Sequence, residues 1–134
     1  MNIESLIDRI VKENDTTDYE QLFDQMIKMK LYFFVIDDGS FSSVDEIVFS
    51  GKDRPITIPA IQEGDKKSAV LYTSKEVALK YIQKGFRVSH TLKGIDALKF
   101  LYDGKGVNEI ILQGNGGHII LSKSLVKKLI NSII

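Results

Sequence analysis

Cysteine and tryptophan are absent from this chain of 134 residues. Without cysteine, the chain has no thiolate nucleophile, no disulfide and no cysteine ligand for zinc or an iron–sulfur cluster. A chain of this length buries about two-thirds of the surface that its unfolded form exposes, so an apolar core can stabilise it without a cross-link. We therefore expect a single domain over residues 1–134, located in a reducing cytoplasm and holding no cofactor.

Long hydrophobic runs are also missing. The longest apolar run, residues 31–36, has six members, whereas a membrane-spanning helix needs about 20. The first six residues are amphipathic and include an acid, whereas a secretory signal is basic and then uniformly apolar. The sequence predicts a cytoplasmic protein that has no contact with a membrane.

Histidine, the side chain best suited to acid–base catalysis near neutral pH, occurs only as His90 and His118. Neither stands at a spacing that defines a catalytic triad or a pair of metal ligands. We therefore expect no catalytic residue and no metal site. An uncharacterised enzyme that uses His118 stays open as an alternative.

Basic and acidic side chains are equal in number, 18 of each. Residues 1–65 carry 6 basic and 14 acidic side chains, however, and residues 66–134 carry 12 basic and 4 acidic ones. The two halves either interleave in the fold and neutralise each other or form a dipolar surface that meets a charged partner. Because the net charge is balanced, a nucleic acid is not expected as the partner.

Apolar residues recur at helical spacing in several segments. The predicted helices are residues 2–13, a helix that opens at Asp18, a helix from Thr73 to the stop signal Gly85, a stripe from Ile95 to Tyr102, and a helix capped by Ser122. Thr73 and Glu76 form a capping box, which predicts that the third helix begins there. Val11 in the first helix and Tyr81 and Ile82 in the third are expected to face the core.

The remaining apolar segments have the pattern of strands. They are residues 31–36, 44–49, 55–61, 68–72, 86–90, 107–113 and 118–121. The segment 31–36 has no polar alternation, which is typical of a strand in the centre of a sheet. Since helices and strands do not alternate strictly, we expect an α+β fold, with helices packed on a mixed or antiparallel sheet of about five to seven strands.

A glycine-rich turn separates the last two predicted strands. Its residues are Gly114, Asn115, Gly116 and Gly117, and His118 follows them. The backbone N–H groups of such turns also bind anions, although the complete phosphate-loop and dinucleotide-binding motifs are absent. A hairpin turn is the first interpretation, and these five residues stay open as the ligand site of a small-molecule sensor.

A second candidate site is a group of acidic residues in predicted loops. Its members are Asp37, Asp38, Asp45, Glu46 and Asp53, with the aromatic residue Phe41 among them. Acidic loops are typical of solvated turns and also of protein-binding edges. The ligand pattern of an EF-hand is missing, so we interpret this group as a candidate partner-binding surface and not as a calcium site.

Four segments of the chain, taken in order, resemble the N-terminal domain of the bacterial SseB family. The segments are Lys30–Val35, Ile56–Pro59, Ala69–Ala78 and Val107–Gly117. In that family a strand ends in the residues phenylalanine-threonine-serine, which cap the helix that follows. Here Tyr72 takes the place of the phenylalanine, and Thr73 and Ser74 follow it. The glycine turn lacks the proline of the family's asparagine-proline-glycine turn. The resemblance covers residues 17–130 and implies a cytoplasmic α+β domain with no established catalytic residues.

On this basis we expect a non-enzymatic module that binds another protein. One form of this hypothesis is a bacterial immunity protein that neutralises a cognate toxin by occupying its active site, which is an analogy at the level of the class. Acidic loops would suit a toxin with a basic groove. The alternatives are a cytoplasmic sensor of an amino acid or a nucleotide, and the enzyme that uses His118.

Overall fold

A computed structural model describes residues 2–13, 18–36, 61–82, 84–91, 93–103 and 107–133. The helices in this part of the chain are α1 (Ile3–Glu13), α2 (Asp18–Met26), α3 (Lys75–Tyr81), α4 (Gly94–Asp103) and α5 (Lys123–Ile133). The strands are β1 (Tyr32–Ile36), β2 (Ile61–Glu63), β3 (Lys66–Tyr72), β4 (Phe86–His90), β5 (Glu109–Gln113) and β6 (His118–Ser122). The fold is α+β, as the sequence predicts.

The strands form one mixed sheet. Its order is β4-β1-β3-β5-β6, and the short strand β2 pairs with the beginning of β3. Only β3 and β5 run parallel, whereas the other paired strands of the described chain are antiparallel. Strand β1 lies between β4 and β3, which confirms the central position that its unbroken apolar run indicates. Because β3 and β5 are parallel neighbours, their carboxyl ends lie at the same edge of the sheet.

Four helices cover one face of this sheet, which we call the first face. Alternate side chains of the strands, such as Phe33, Leu71 and Leu112, pack there against α1, α2, α4 and α5. The stripes of α1 and α5 bury Leu6 and Val126 completely or almost completely. Removal of this apolar surface from water is the main stabilising contribution to the fold.

Helix α3 lies on the opposite face, which we call the second face. Val77 and Ala78 of α3 pack against Phe34 of β1, Tyr72 of β3 and Val88 of β4. The aromatic rings are close: the centroids of Phe34 and Tyr72 are 4.8 Å apart. Alternation along the strands thus divides the core into two clusters on opposite faces of the sheet.

Close backbone contact joins α4 to the end of α2. A Cβ atom at Gly94, the first residue of α4, would stand 1.7 Å from the carbonyl oxygen of Met26. No side chain fits at that distance, so Gly94 lets the two helices approach each other.

Several details differ from the expectations. Val11 is 54% exposed, Tyr81 47% and Ile82 38%, so none of the three is a core residue, although all three were expected to face the core. Helix α3 begins at Lys75, and the hydroxyl of Ser74, not of Thr73, accepts the hydrogen bond from the N–H of Val77, at 3.1 Å. The predicted strand 44–49 and most of the segment 55–61 lie outside the described residues.

Candidate functional site

The glycine-rich turn joins β5 to β6 and confirms the predicted hairpin. The N–H of Gly114 donates to the carbonyl oxygen of Gly117 at 2.8 Å and closes the turn. The side-chain amide of Gln113 donates to the carbonyl oxygens of Gly114 and Gly117, at 2.8 Å and 3.2 Å. The turn is therefore held in shape by its own backbone and by one amide side chain.

A carboxylate from the distant end of the chain lies against this turn. Glu4, in the first turn of α1, accepts the hydroxyl hydrogen of Thr73 on Oε1 at 2.6 Å. Its Oε2 accepts the backbone N–H of Asn115 at 2.7 Å. Each carboxylate oxygen thus has its own donor, and both distances are typical of hydrogen bonds to a charged group.

Glycine at position 114 makes room for this carboxylate. A Cβ atom there would stand 2.6 Å from Oε2 of Glu4 and 3.0 Å from Cδ1 of Ile7. On the outer side of the turn, the ammonium of Lys80 donates to the side-chain oxygen of Asn115. We call the group of Glu4, Thr73, Lys80, Gly114 and Asn115 the turn site.

Three members of the turn site, Glu4, Thr73 and Lys80, were not predicted to be functional residues. The sequence marks Glu4 only as an acidic residue in the first turn of a helix, where its negative charge interacts favourably with the helix dipole. Thr73 was expected to cap α3, but the residue is only 5% exposed and its hydroxyl donates to Glu4 instead. The five candidate ligand residues, 114–118, lie together in the structure. The backbone N–H of Asn115 already donates to an anionic group of the chain itself, the carboxylate of Glu4.

His118 begins β6 at the other side of the turn. The register of the sheet places His90, Tyr32, Tyr72, Gln113 and His118 in one row across five strands on the second face. His118 is exposed, whereas His90 is buried beside Tyr32, with ring centroids 5.1 Å apart. Strand β5 separates His118 from Tyr72, so their backbones are roughly 10 Å apart.

Tyr72 is the buried titratable group of this row. Desolvation by burial, with a further contribution from the phenol of Tyr81, raises the pKa of Tyr72 to about 12. The two rings stack with centroids 5.8 Å apart. Tyr72 is therefore a neutral phenol at physiological pH and cannot act as a base there. The use of His118 by an enzyme stays a hypothesis with no assigned partner.

Among the described residues, helix α3 covers only part of the second face. Helix α3 packs on β1, β3 and β4, whereas β5 and β6 present alternate side chains outward. These side chains are Glu109, Ile111, Gln113, His118, Ile120 and Ser122, and we call them the open face. Ile120 at its centre is 51% exposed, and the hydroxyl of Ser68 donates to Glu109 at its margin, at 2.8 Å.

The acidic candidate residues belong to the part of the chain that the structure does not describe. Asp37, Asp38, Phe41, Asp45, Glu46 and Asp53 all lie outside the described residues. Within the described ranges, no three His, Asp or Glu side chains are grouped so that they could hold a metal ion. A search of the same residues finds no helix with the length and apolar character needed to cross a membrane.

No family model matches the chain, and no curated protein matches it. The resemblance to the SseB family stays a prediction from the four segments of the sequence.

Proposed function

We propose that the chain is a non-enzymatic module that binds another protein through the open face. The observation that carries this proposal is an exposed part of the sheet within the described residues: α3 packs on β1, β3 and β4, and Ile120 of β6 is half exposed. Contiguous apolar surface that stays exposed on a folded domain often marks an interaction site.

The composition of the open face supports a protein partner. Ile111 and Ile120 are directly paired across β5 and β6 and form an apolar centre. Glu109 pairs with Ser122 on one side of this centre, and Gln113 pairs with His118 on the other. An apolar centre with a polar rim is the usual anatomy of a protein interface. A pleated sheet face is flat, whereas sites for small molecules are concave.

The edge of the sheet adds a second means of contact. In the described chain, β6 is the last strand of the sheet order and pairs on one side only, with β5. The backbone groups along the outer side of such a strand are available to an extended segment of a partner. A partner strand that pairs along this side of β6 would lie beside His118, Ile120 and Ser122, which belong to the open face.

A more specific form of the proposal is a bacterial immunity protein that neutralises a toxin in the cytoplasm. It is supported by the resemblance to the SseB family, by the absence of cysteine and by the acidic residues near position 45. In this form the acidic residues provide electrostatic steering toward a basic toxin groove, and the open face provides the apolar contact. Association is then expected to be faster at low salt than at high salt.

Capture of the tagged protein from its native host tests the proposal when it is combined with matched variants. Ile120→Lys puts a charge at the centre of the open face. Ile61→Lys is the control, because Ile61 is also an isoleucine on a strand and is 50% exposed, close to the 51% of Ile120. Since Ile61 pairs with Ser68 of β3, the control charge lies three strands away from β6.

We expect a stoichiometric partner that the wild-type chain and Ile61→Lys retain and that Ile120→Lys loses. Circular dichroism of the three proteins shows whether each one is folded. The proposal is wrong if Ile120→Lys keeps the partner, or if the folded wild-type chain captures no partner at either low or high salt.

A further inference from the structure

We propose that the turn site is a binding site for a small carboxylate ligand, and that Glu4 is a resident group which such a ligand replaces. The carboxylate of Glu4 already shows how a ligand of this class is held. One oxygen accepts from the hydroxyl of Thr73 at 2.6 Å, and the other accepts from the N–H of Asn115 at 2.7 Å.

Both donors are positioned by contacts that do not involve Glu4. The N–H of Thr73 donates to the carbonyl oxygen of Gln113 at 3.2 Å and fixes the residue at the end of β3. The amide of Gln113 and the closing hydrogen bond between Gly114 and Gly117 hold the turn. The donors are therefore preorganised, and a ligand does not have to order them when it binds.

The position of the turn site within the sheet suits a ligand. Thr73 and Gly114 follow directly after β3 and β5, the parallel pair of the sheet. In open α/β sheets, ligands bind outside the carboxyl ends of parallel strands. This mixed sheet has one such pair among its described strands, and the chain turns back after β5 in the hairpin that carries the N–H of Asn115. Here α3 leaves the end of β3 on the second face, whereas α1 packs on the first face and brings Glu4 to the gap between the strands.

The charges around the site allow one carboxylate. Lys80 contributes a positive charge through its hydrogen bond to the side chain of Asn115. Asp8 is the second acid near the turn, since its Oδ1 would be 3.7 Å from a Cβ atom at Gly117. Removal of the Glu4 carboxylate leaves the negative charge of Asp8 and the positive charge of Lys80 near the turn. A bound carboxylate restores the second negative charge, which Glu4 normally contributes.

Displacement of Glu4 does not require α1 to unfold. The helix is anchored by Leu6 and Ile7, both with 0% exposure, whereas Glu4 itself is only partly buried. Rotation of one side chain into solvent is enough to open the site. Glu4 competes as an intramolecular ligand. The apparent affinity of the wild-type chain therefore equals the affinity of the empty site multiplied by the fraction of time that Glu4 leaves the site empty.

Acetate is a suitable probe because Glu4→Ala removes the atoms that acetate supplies, a carboxylate and one methylene carbon. We expect sodium acetate to stabilise Glu4→Ala against urea more than sodium chloride does at the same ionic strength. At an acetate concentration of about ten times its Kd, the unfolding constant should fall about elevenfold. The matched control is Glu13→Ala, which removes an exposed glutamate at the other end of the same helix.

The double variant Glu4→Ala/Thr73→Val separates specific binding from a general effect of acetate. It has the same alanine at position 4 but lacks the hydroxyl donor, so the advantage of acetate over chloride should disappear. Equal stabilisation of Glu4→Ala and Glu13→Ala by acetate, or an undiminished effect in the double variant, overturns the carboxylate site.

Displacement is tested on the wild-type chain by nuclear magnetic resonance of the Asn115 amide. We expect acetate to shift this resonance in Glu4→Ala at low concentration and in the wild-type chain at higher concentration, because Glu4 competes there. If the wild-type resonance does not move at about one hundred times the Kd of the variant, Glu4 is a fixed structural clamp and the displacement is refuted. Both measurements use purified protein, so their outcome is independent of the protein-binding proposal.

Discussion

Replacement of Glu4 by alanine should destabilise the folded chain more than any other substitution of an acid on α1. The change removes both acceptor oxygens of the turn site at once. The hydroxyl of Thr73 is then left without its acceptor at a position that is only 5% exposed. The N–H of Asn115 also loses its acceptor, but Asn115 is exposed and water can replace the lost contact.

The magnitude follows from this difference between the two donors. A hydrogen bond to a charged group contributes about 1.5–3 kcal/mol, and we assign this full range to the buried Thr73 contact. The exposed Asn115 contact and the favourable position of an acid in the first turn of a helix add about 0.5 kcal/mol each. The free energy of unfolding should therefore fall by about 3 kcal/mol in Glu4→Ala, out of a total of about 5–15 kcal/mol for a domain.

Urea denaturation followed by circular dichroism measures this loss. With a slope of about 2 kcal/mol per molar urea, the midpoint should fall by about 1.5 M. Glu13→Ala removes an exposed ion pair with Arg9, at 3.9 Å, and should change stability by less than about 0.5 kcal/mol. Glu4→Gln keeps one acceptor and should lie between the two. If the midpoint of Glu4→Ala matches that of Glu13→Ala, the turn site does not stabilise the fold and our reasoning is wrong.

Two further predictions concern packing and pH. Gly94→Ala should lower the free energy of unfolding by about 1–3 kcal/mol or more, because its Cβ atom meets the carbonyl oxygen of Met26. Gly116→Ala, whose Cβ atom has no neighbour within 4 Å, should melt at the temperature of the wild type. Equal melting temperatures of Gly94→Ala and Gly116→Ala would contradict the contact with Met26. Tyr72 holds its proton more tightly when folded, so the stability that it contributes is complete below pH 10 and is lost as the pH rises toward 12. The free energy of unfolding should fall by about 2–3 kcal/mol in total over this pH range. Urea titrations of Tyr72→Phe should not show this fall. If the free energies of unfolding of the wild-type chain and Tyr72→Phe depend on pH in the same way, the pKa shift is refuted.

Much of the fold follows from local patterns in the sequence. The spacing of apolar residues predicts helices at α1, α2, α4 and α5, and the unbroken run in β1 predicts its central position. Exposure of individual residues is harder to predict, because a periodic stripe is wider than the surface that covers it. Val11 belongs to the stripe of α1 by spacing, but the helix meets the sheet on the side of Leu6 and Ile7.

The turn site could not be predicted for a different reason. The contacts of Glu4 join residues that are 69 and 111 positions apart in the chain, and no local spacing encodes such a pair. The capping box predicted at Thr73 and Glu76 is wrong by one residue, because threonine and serine suit the same capping role. In the structure Ser74 caps α3, and this releases the hydroxyl of Thr73 for Glu4.

The turn site depends on the assembly of the whole domain. Glu4 reaches the turn only when the apolar stripe of α1 is packed on the first face, and Thr73 meets Asn115 only when β3 and β5 are paired in parallel. The connection between β3 and β5 contains α3, β4 and α4, since a parallel pair needs a long crossover. The carboxylate contact therefore depends on non-local packing, whereas the packing of α1 on the first face depends on residues such as Leu6 and Ile7 and not on Glu4. Loss of the Glu4 carboxylate should therefore weaken the turn site and leave the packing of α1 in place.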